Sequence, residues 1–181
     1  MKRIVSILFS LILSIGSVYA ISPADSIRRE MNRLRGKELL QAHSNLCQLA
    51  ATQDDMQYEL RCIRDFLAEA LKQKDADAEG RARVRQLYCY YNYDKPDSIL
   101  FYLPETLKSL KKNRMWEYYY NAWSVLVERY IYEEKLQTAL LEARKMYADA
   151  HTVNSNYGLG VSSYDIGSIY QTMGRFREAE K

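Results

Sequence analysis

The stretches WSVLVERY at residues 123–130 and SYDIGSIY at residues 163–170 share one pattern, and this pattern decides the fold. Each has an aliphatic residue in fourth place and a tyrosine in eighth place, and an alanine follows nine residues after that tyrosine. Tyr90, Tyr130 and Tyr170 recur every 40 residues. Self-similarity at such a period is typical of helical solenoids, in which each unit packs on its neighbours. The sequence therefore predicts an all-α chain of helical-hairpin repeats.

Apolar periodicity and capping residues predict where the helices lie. Ser22 followed by Pro23 is a favoured helix start, because serine can cap the first turn and proline suits the first helical position. It predicts an N-terminal helix over 22–36 that Gly36 closes. The rest of the chain is expected to form helical pairs over about 37–73, 78–112, 114–151 and 155–181.

Two signals within these pairs concern helix boundaries. Asp94 before Pro96 predicts a new helix with Asp94 as its capping residue, just as Asp54 or Asp55 can cap the second helix of the first pair. Pro104 lies inside the helix that follows Pro96. Since proline removes a backbone donor and clashes with the preceding turn, we expect a kink or a break there.

The order of aromatic, aliphatic-glycine, tyrosine and later alanine resembles the tetratricopeptide repeat, a helix-turn-helix unit. The resemblance implies a right-handed superhelix and is specific only over about 115–181. The period of 40 exceeds the ~34 residues of the standard repeat, so we expect longer helices or connections and irregular repeats. The positions assigned to the repeat framework are Tyr90, Trp123, Leu126, Tyr130, Ala139, Ile166, Gly167, Tyr170 and Ala179.

The same resemblance implies a binding face. In tetratricopeptide repeats the first helix of each pair lines a concave groove that holds extended peptides. The groove residues expected by this register are Arg81, Arg85, Tyr88, Asn92, Asn121, Ser124, Glu128, Tyr164, Ser168 and Gln171. They are mixed in character, with no dense Lys/Asn array, so a protein or peptide partner is expected but not one held by its terminal carboxylate.

The first twenty residues have the features of a signal peptide. Lys2 and Arg3 form a charged start, an apolar stretch follows, and the small residues before Ala20 suit cleavage after it. We therefore expect residues 1–20 to be removed, leaving a helical repeat domain over 21–181 that is exported to the periplasm. An uncleaved membrane anchor is the weaker alternative, since the apolar run is shorter than the ~20 residues of a spanning helix.

Reactive side chains are sparse, so neither an enzyme nor a cofactor or metal site is predicted. His43 and His151 are the two histidines, and phosphate-loop and metal-binding motifs are absent. Two of the 26 basic residues lie in the signal peptide and 23 residues are acidic, which leaves a nearly neutral chain that is not expected to bind nucleic acid. Cys47 and Cys62 lie nearly symmetrically about the first hairpin turn and are a possible disulfide, with ordinary core cysteines as the alternative.

Together with export, the segments 156–160, 165–170 and 174–180 resemble the periplasmic repeat region of bacterial membrane-bound sensor proteins. Such regions precede a transmembrane helix and a histidine kinase or DNA-binding output domain. The short helix predicted after Gly174 suggests that the chain is truncated at its C-terminal end, so membrane attachment would come only from downstream segments. Two functions stay open: the sensory input region of a longer signal-transduction protein, and a free periplasmic scaffold that mediates protein–protein interaction.

Overall fold

The computed structural model describes residues 22–180, and this part of the chain is all-α, without strands. The predicted signal peptide lies outside the described residues. Within residues 22–180, no helix combines the length and the apolar character needed to cross a membrane. The helices are α1 (Pro23–Met31), α2 (Gly36–Ala50), α3 (Met56–Gln73), α4 (Ala76–Asn92), α5 (Pro96–Lys112), α6 (Trp116–Tyr132), α7 (Leu136–Thr152), α8 (Asn156–Thr172) and α9 (Phe176–Ala179).

The helices from α4 to α8 follow a strict 20-residue rhythm. Each of these five helices has 17 residues, and three residues connect each to the next. Two helices with their connections thus account for the 40-residue period. The connections are short, so most of the period consists of helix.

A left-handed residue marks every connection from α3 onward. These residues have φ between 53° and 71° and recur every 20 residues: Lys74, Asp94, Arg114, Glu134, Asn154 and Gly174. Each lets the chain close the helix with the bond pattern of a Schellman motif. For example, the N–H of Met115 donates to the carbonyl oxygen of Leu110 at 2.9 Å, and the N–H of Lys135 donates to that of Tyr130 at 2.9 Å.

Successive helices pack on each other, and two further contacts order the pairs. Helix α4 packs on α6, and α6 packs on α8, so the first helices of neighbouring pairs lie side by side. The apolar core is divided along the chain into three clusters, centred on α2–α4, on α4–α8 and on α6–α9. Each cluster is shared between neighbouring pairs.

Two predicted helix boundaries are wrong. Helix α1 ends at Met31, and Gly36, with φ of 55°, opens α2 instead of closing α1. The Arg35 guanidinium donates to the carbonyl oxygen of Leu34 at 2.6 Å, which stabilises the extended link between the two helices. Asp94 does not cap α5: its left-handed backbone belongs to the end of α4, and its carboxylate pairs with Arg129.

Other capping predictions are confirmed. Ser22 accepts a hydrogen bond from the N–H of Asp25, and Asp55, not Asp54, accepts one from the N–H of Tyr58.

Helix α5 continues through Pro104, so the break that was one of the two expectations there does not occur. Pro104 and Leu100, the residue whose carbonyl loses its helical partner, are both exposed, so water can satisfy that oxygen.

The positions assigned to the repeat framework lie in the interior to different degrees. Tyr90, Ala139 and Tyr170 are buried, whereas Trp123 is half-buried: it packs edge-on against Tyr119 with ring centroids 5.8 Å apart. The remaining positions are half-buried and are Leu126, Tyr130, Ile166, Gly167 and Ala179.

Candidate binding groove

Two adjoining cavities form a groove along the first helices of the pairs. Their lining residues come from α2, α4, α6 and α8, apart from Ala51 and Glu59. Tyr88 and Asn121 line both cavities, so the two lie side by side. We call them the arginine cavity, of about 430 Å³, and the acidic cavity, of about 460 Å³.

The arginine cavity lies at the N-terminal end of the groove, between α2 and α4. Arg81 Nε is 3.1 Å from Asp77 Oδ2, and its guanidinium lies over the Phe66 ring, 5.6 Å from the centroid. Arg85 has no ion-pair partner among the described residues, so its charge is available to a ligand. Glu59, almost fully buried, also lines this cavity. The other lining residues are Gln41, Ser44, Gln48, Ala51, Val84, Tyr88, Asn92, Tyr118 and Asn121.

The acidic cavity lies between α6 and α8 and carries two carboxylates with aromatic walls. Glu128 of α6 and Asp165 of α8 both line it, and no lysine, arginine or histidine does. The ring of Tyr157 is held in place because its hydroxyl donates to Asn121 Oδ1 at 2.9 Å. The other lining residues are Tyr88, Asn121, Ser124, Asn156, Gly160, Val161 and Tyr164.

Asp165 is the most perturbed acid in this cavity. Burial raises its pKa to about 7; the hydrogen bond from the Ser124 hydroxyl lowers the pKa and the nearby charge of Glu128 raises it. The Ser124 Oγ lies 2.9 and 3.1 Å from the two carboxylate oxygens, but its single proton can serve only one bond well. Burial also raises the pKa of Glu128, and raises that of Tyr88 to about 12.

Small residues bring the walls of the groove together. Gly158 of α8 faces the ring of Tyr120, and a Cβ at Gly158 would lie 2.6 Å from Tyr120 Cδ2 and Cζ. Tyr120 is fully buried, and its hydroxyl donates to Asp149 Oδ2 at 3.1 Å. Gly80 of α4 likewise faces the ring of Tyr118, on the other side of α6, so that a Cβ at Gly80 would crowd this ring. Glycine therefore sets the close approach of α4, α6 and α8.

Eight of the ten groove residues expected from the sequence line one or both cavities. Ser168 and Gln171 line neither, since they lie nearer the C-terminal end of α8 than the acidic cavity reaches. Those that do line the groove are Arg81, Arg85, Tyr88, Asn92, Asn121, Ser124, Glu128 and Tyr164.

Asp165, which is only 2% exposed, is not among the groove residues expected from the sequence. Its position carries a signal that could have revealed it. Asp165 lies three residues after Ser162 and four before Ile169, both fully buried, so it occupies the inward stripe of α8. A carboxylate in such a stripe is a candidate for function. Glu59 of α3 is likewise not among the expected residues, and the same signal marks it. It lies three and four residues before Cys62 and Ile63, which are buried on the inward stripe of that helix.

The two histidines lie away from the groove. His43 stacks on Phe66, with ring centroids 6.3 Å apart, and burial lowers its pKa. His151 is exposed near the end of α7. Among residues 22–180, no three His, Cys, Asp or Glu side chains come together in a way that could hold a metal ion.

The cysteines are buried thiols, so the possible Cys47–Cys62 disulfide is not formed in this structure. Both pack in the core cluster of α2–α4 together with Cys89. Burial raises the pKa of the Cys47 thiol to about 12 and also raises that of Cys62. Both therefore act as small core side chains.

No family model matches the chain, and a search of the curated proteins finds no match.

Proposed function

We propose that this chain is an exported binding domain, built as a solenoid of tetratricopeptide-like repeats, whose groove holds an extended segment of another protein. The observation that carries the proposal is that the two cavities lie side by side along the first helices of the pairs and share Tyr88 and Asn121. A ligand lying along this groove crosses α4 and α6 and reaches α8. A long, shallow site of this kind suits an extended chain better than a compact metabolite.

The chemistry of the lining supports a polypeptide ligand. Amide side chains such as Gln41, Gln48 and Asn121 can bond to backbone groups, and the tyrosines offer large contact areas at low cost in side-chain entropy. The two ends differ in charge, with Arg85 at one and Glu128 and Asp165 at the other. Such a difference would fix the direction in which a peptide lies.

The proposal is tested with random peptides displayed on phage and selected against the purified chain, followed by calorimetric titration of the enriched peptides. Tyr164 in the groove and Phe101 on α5 are 74% and 75% exposed and form a matched pair. We expect Tyr164→Ala to weaken binding at least about tenfold, as for an aromatic contact residue, and Phe101→Ala to leave it unchanged. Equal effects of both variants, or no enriched peptide, would overturn the proposal.

For the biological role, we propose the sensory input region of a signal-transduction protein, with a free periplasmic scaffold as the alternative. Both roles use the same groove and involve binding rather than catalysis. Reading the gene beyond the codon for Lys181 separates them: an apolar span of ~20 residues followed by an output domain supports the sensor. N-terminal sequencing of the protein from the periplasmic fraction tests export, with Ile21 as the expected first residue.

A further inference from the structure

We propose that the acidic cavity binds a cationic group of the ligand, an ammonium or guanidinium such as a lysine or arginine side chain, between Glu128 and Asp165 and against the rings of Tyr88 and Tyr164. This inference rests on the proposed function, because it names the chemistry that one end of the groove recognises. It rests on three observations: the shape and walls of the cavity, the unbalanced charge within it, and the engagement of the nearby cations elsewhere.

The first observation is the cavity itself. Its volume is about 460 Å³, and three tyrosines line it. One of them, Tyr157, is anchored by the hydrogen bond from its hydroxyl to Asn121. Aromatic faces attract cations, and an alkylammonium or a planar guanidinium fits against them more readily than an anion does. The anchored ring means that part of this wall is already in place before a ligand arrives.

The second observation is the unbalanced charge. Glu128 and Asp165 line the same cavity, and the neighbouring charge of Glu128 is one of the causes that raise the pKa of Asp165. Several other acidic residues that are partly shielded from water have a basic partner: Glu79 pairs with Arg83, and Glu142 pairs with Lys145. Neither Glu128 nor Asp165 has an ion pair within residues 22–180. Two such carboxylates without a cation are unfavourable, and a bound cation relieves this cost.

The third observation concerns the basic side chains on the elements that pack around α8. From α7, Arg144 Nη2 donates to the Tyr170 hydroxyl at 2.7 Å. Beyond α8, Arg175 pairs with Glu178 at 2.8 Å. From α6, Arg129 is engaged by Asp94 and Glu133. The groups that act on the Asp165 carboxyl are Ser124 and Glu128 of α6, so a ligand can supply the cation that this cavity lacks.

The test uses small probes on the purified chain, followed by amide NMR. Methylguanidinium and methylammonium are the cations, N-methylurea is the neutral analogue, and acetate is the anion. We expect saturable shifts at amides near Gly160 and Tyr164 with one or both cations, and none with N-methylurea or acetate. The stronger cation tells whether an arginine or a lysine side chain is the preferred ligand group.

Two variants locate the effect. Glu128→Gln and Asp165→Asn keep the side-chain shape and are expected to weaken cation binding at least about tenfold. Glu117→Gln, an exposed acid on the same helix as Glu128, is the matched control and should bind as the parent does. Equal binding by Glu117→Gln and Glu128→Gln would show that the cation is held elsewhere.

A measurement on the unaltered chain keeps the inference testable even if a variant fails to fold. Because a cation favours ionised Asp165, binding should tighten as the pH rises from 5.5 to 8. Shifts that are equal for cations and N-methylurea, or affinity that is flat over this range, would overturn the cation site. If selected peptides still bind the groove without any preference for basic residues, only the cation site fails and the proposed peptide-binding function stands.

Discussion

At the residue scale, Asp165 links the groove to the stability of the fold. Its pKa is about 7 in the folded chain, against about 3.9 for an unperturbed aspartate. The folded state therefore holds this proton more tightly than the unfolded state does. The stability contributed by Asp165 is fully present below about pH 4 and is lost as the pH rises through about 7.

This gives a prediction for pH dependence. The free energy of unfolding of the parent chain, relative to that of Asp165→Asn, should fall between pH 4.5 and 7 by up to about 1.4 kcal/mol per pH unit. Asparagine does not titrate, so the variant removes this one contribution and keeps the others. Urea unfolding at several pH values measures both curves. Parallel curves would show that Asp165 titrates alike in the folded and unfolded chains.

Gly158 and Gly160 form a second pair at this scale. A Cβ at Gly158 would collide with the buried ring of Tyr120, whereas nothing lies within 4 Å of a Cβ at Gly160. We expect Gly158→Ala to destabilise the chain by about 1–3 kcal/mol because the core is overfilled. Gly160→Ala should stabilise it by about 0.5–1 kcal/mol, since alanine favours the helix.

Thermal or urea unfolding of the two alanine variants checks this prediction. Both substitutions add the same methyl group to α8, so helix propensity cannot separate them. Similar stabilities would mean that α6 and α8 do not approach as closely as the structure shows.

At the element scale, the left-handed connecting residues set the 20-residue rhythm. Glu134 has φ of 58° and Asn154 has φ of 55°, and both end 17-residue helices. A side chain with a Cβ strains this conformation, which asparagine tolerates better than glutamate does. The rhythm thus comes from the helix ends and not only from the tyrosines.

We expect Glu134→Gly to raise the free energy of unfolding by about 0.5–1 kcal/mol, and Asn154→Gly to raise it less. Gly174→Ala, the reverse change at φ of 71°, should lower it. Urea midpoints of the three variants measure the series. A Glu134→Gly protein that is less stable than the parent would argue against a left-handed residue at this position.

At the scale of the whole molecule, successive helices of residues 22–180 pack on one another in a row around a divided core. The cluster of α6–α9 has the fewest buried members, and α9 has four residues with none buried. Stability in such a row depends on nearest neighbours, so the units need not open together.

Hydrogen exchange tests this unevenness. Amides in 155–180 should exchange before those in 115–150, beginning with α9 and the last turns of α8, because fewer buried contacts hold them. Val161 and Leu159, which pack on the central cluster, should make the first half of α8 more protected than the second. Equal protection throughout would mean that the described helices unfold as one cooperative unit.

The sequence by itself determined the helical class, the 40-residue period and most of the groove register. These properties are local: Ser22 and Asp55 cap helices through neighbouring backbone groups, and apolar spacing follows from the 3.6-residue turn. One error occurred where a distant partner decides the role of a residue. Asp94 reads as a helix cap, but its carboxylate pairs with Arg129, 35 residues away.

Only the tertiary structure decided the character of the candidate binding site. Glu128 and Asp165 lie 37 positions apart in the sequence, and they share a cavity because Gly158 lets α8 approach Tyr120 of α6. The charge of Asp165 is likewise set by burial and by Ser124, neither of which is visible in the residue itself. Spacing along one helix specifies a face, but the packing of separate helices decides what that face meets and how far it is removed from water.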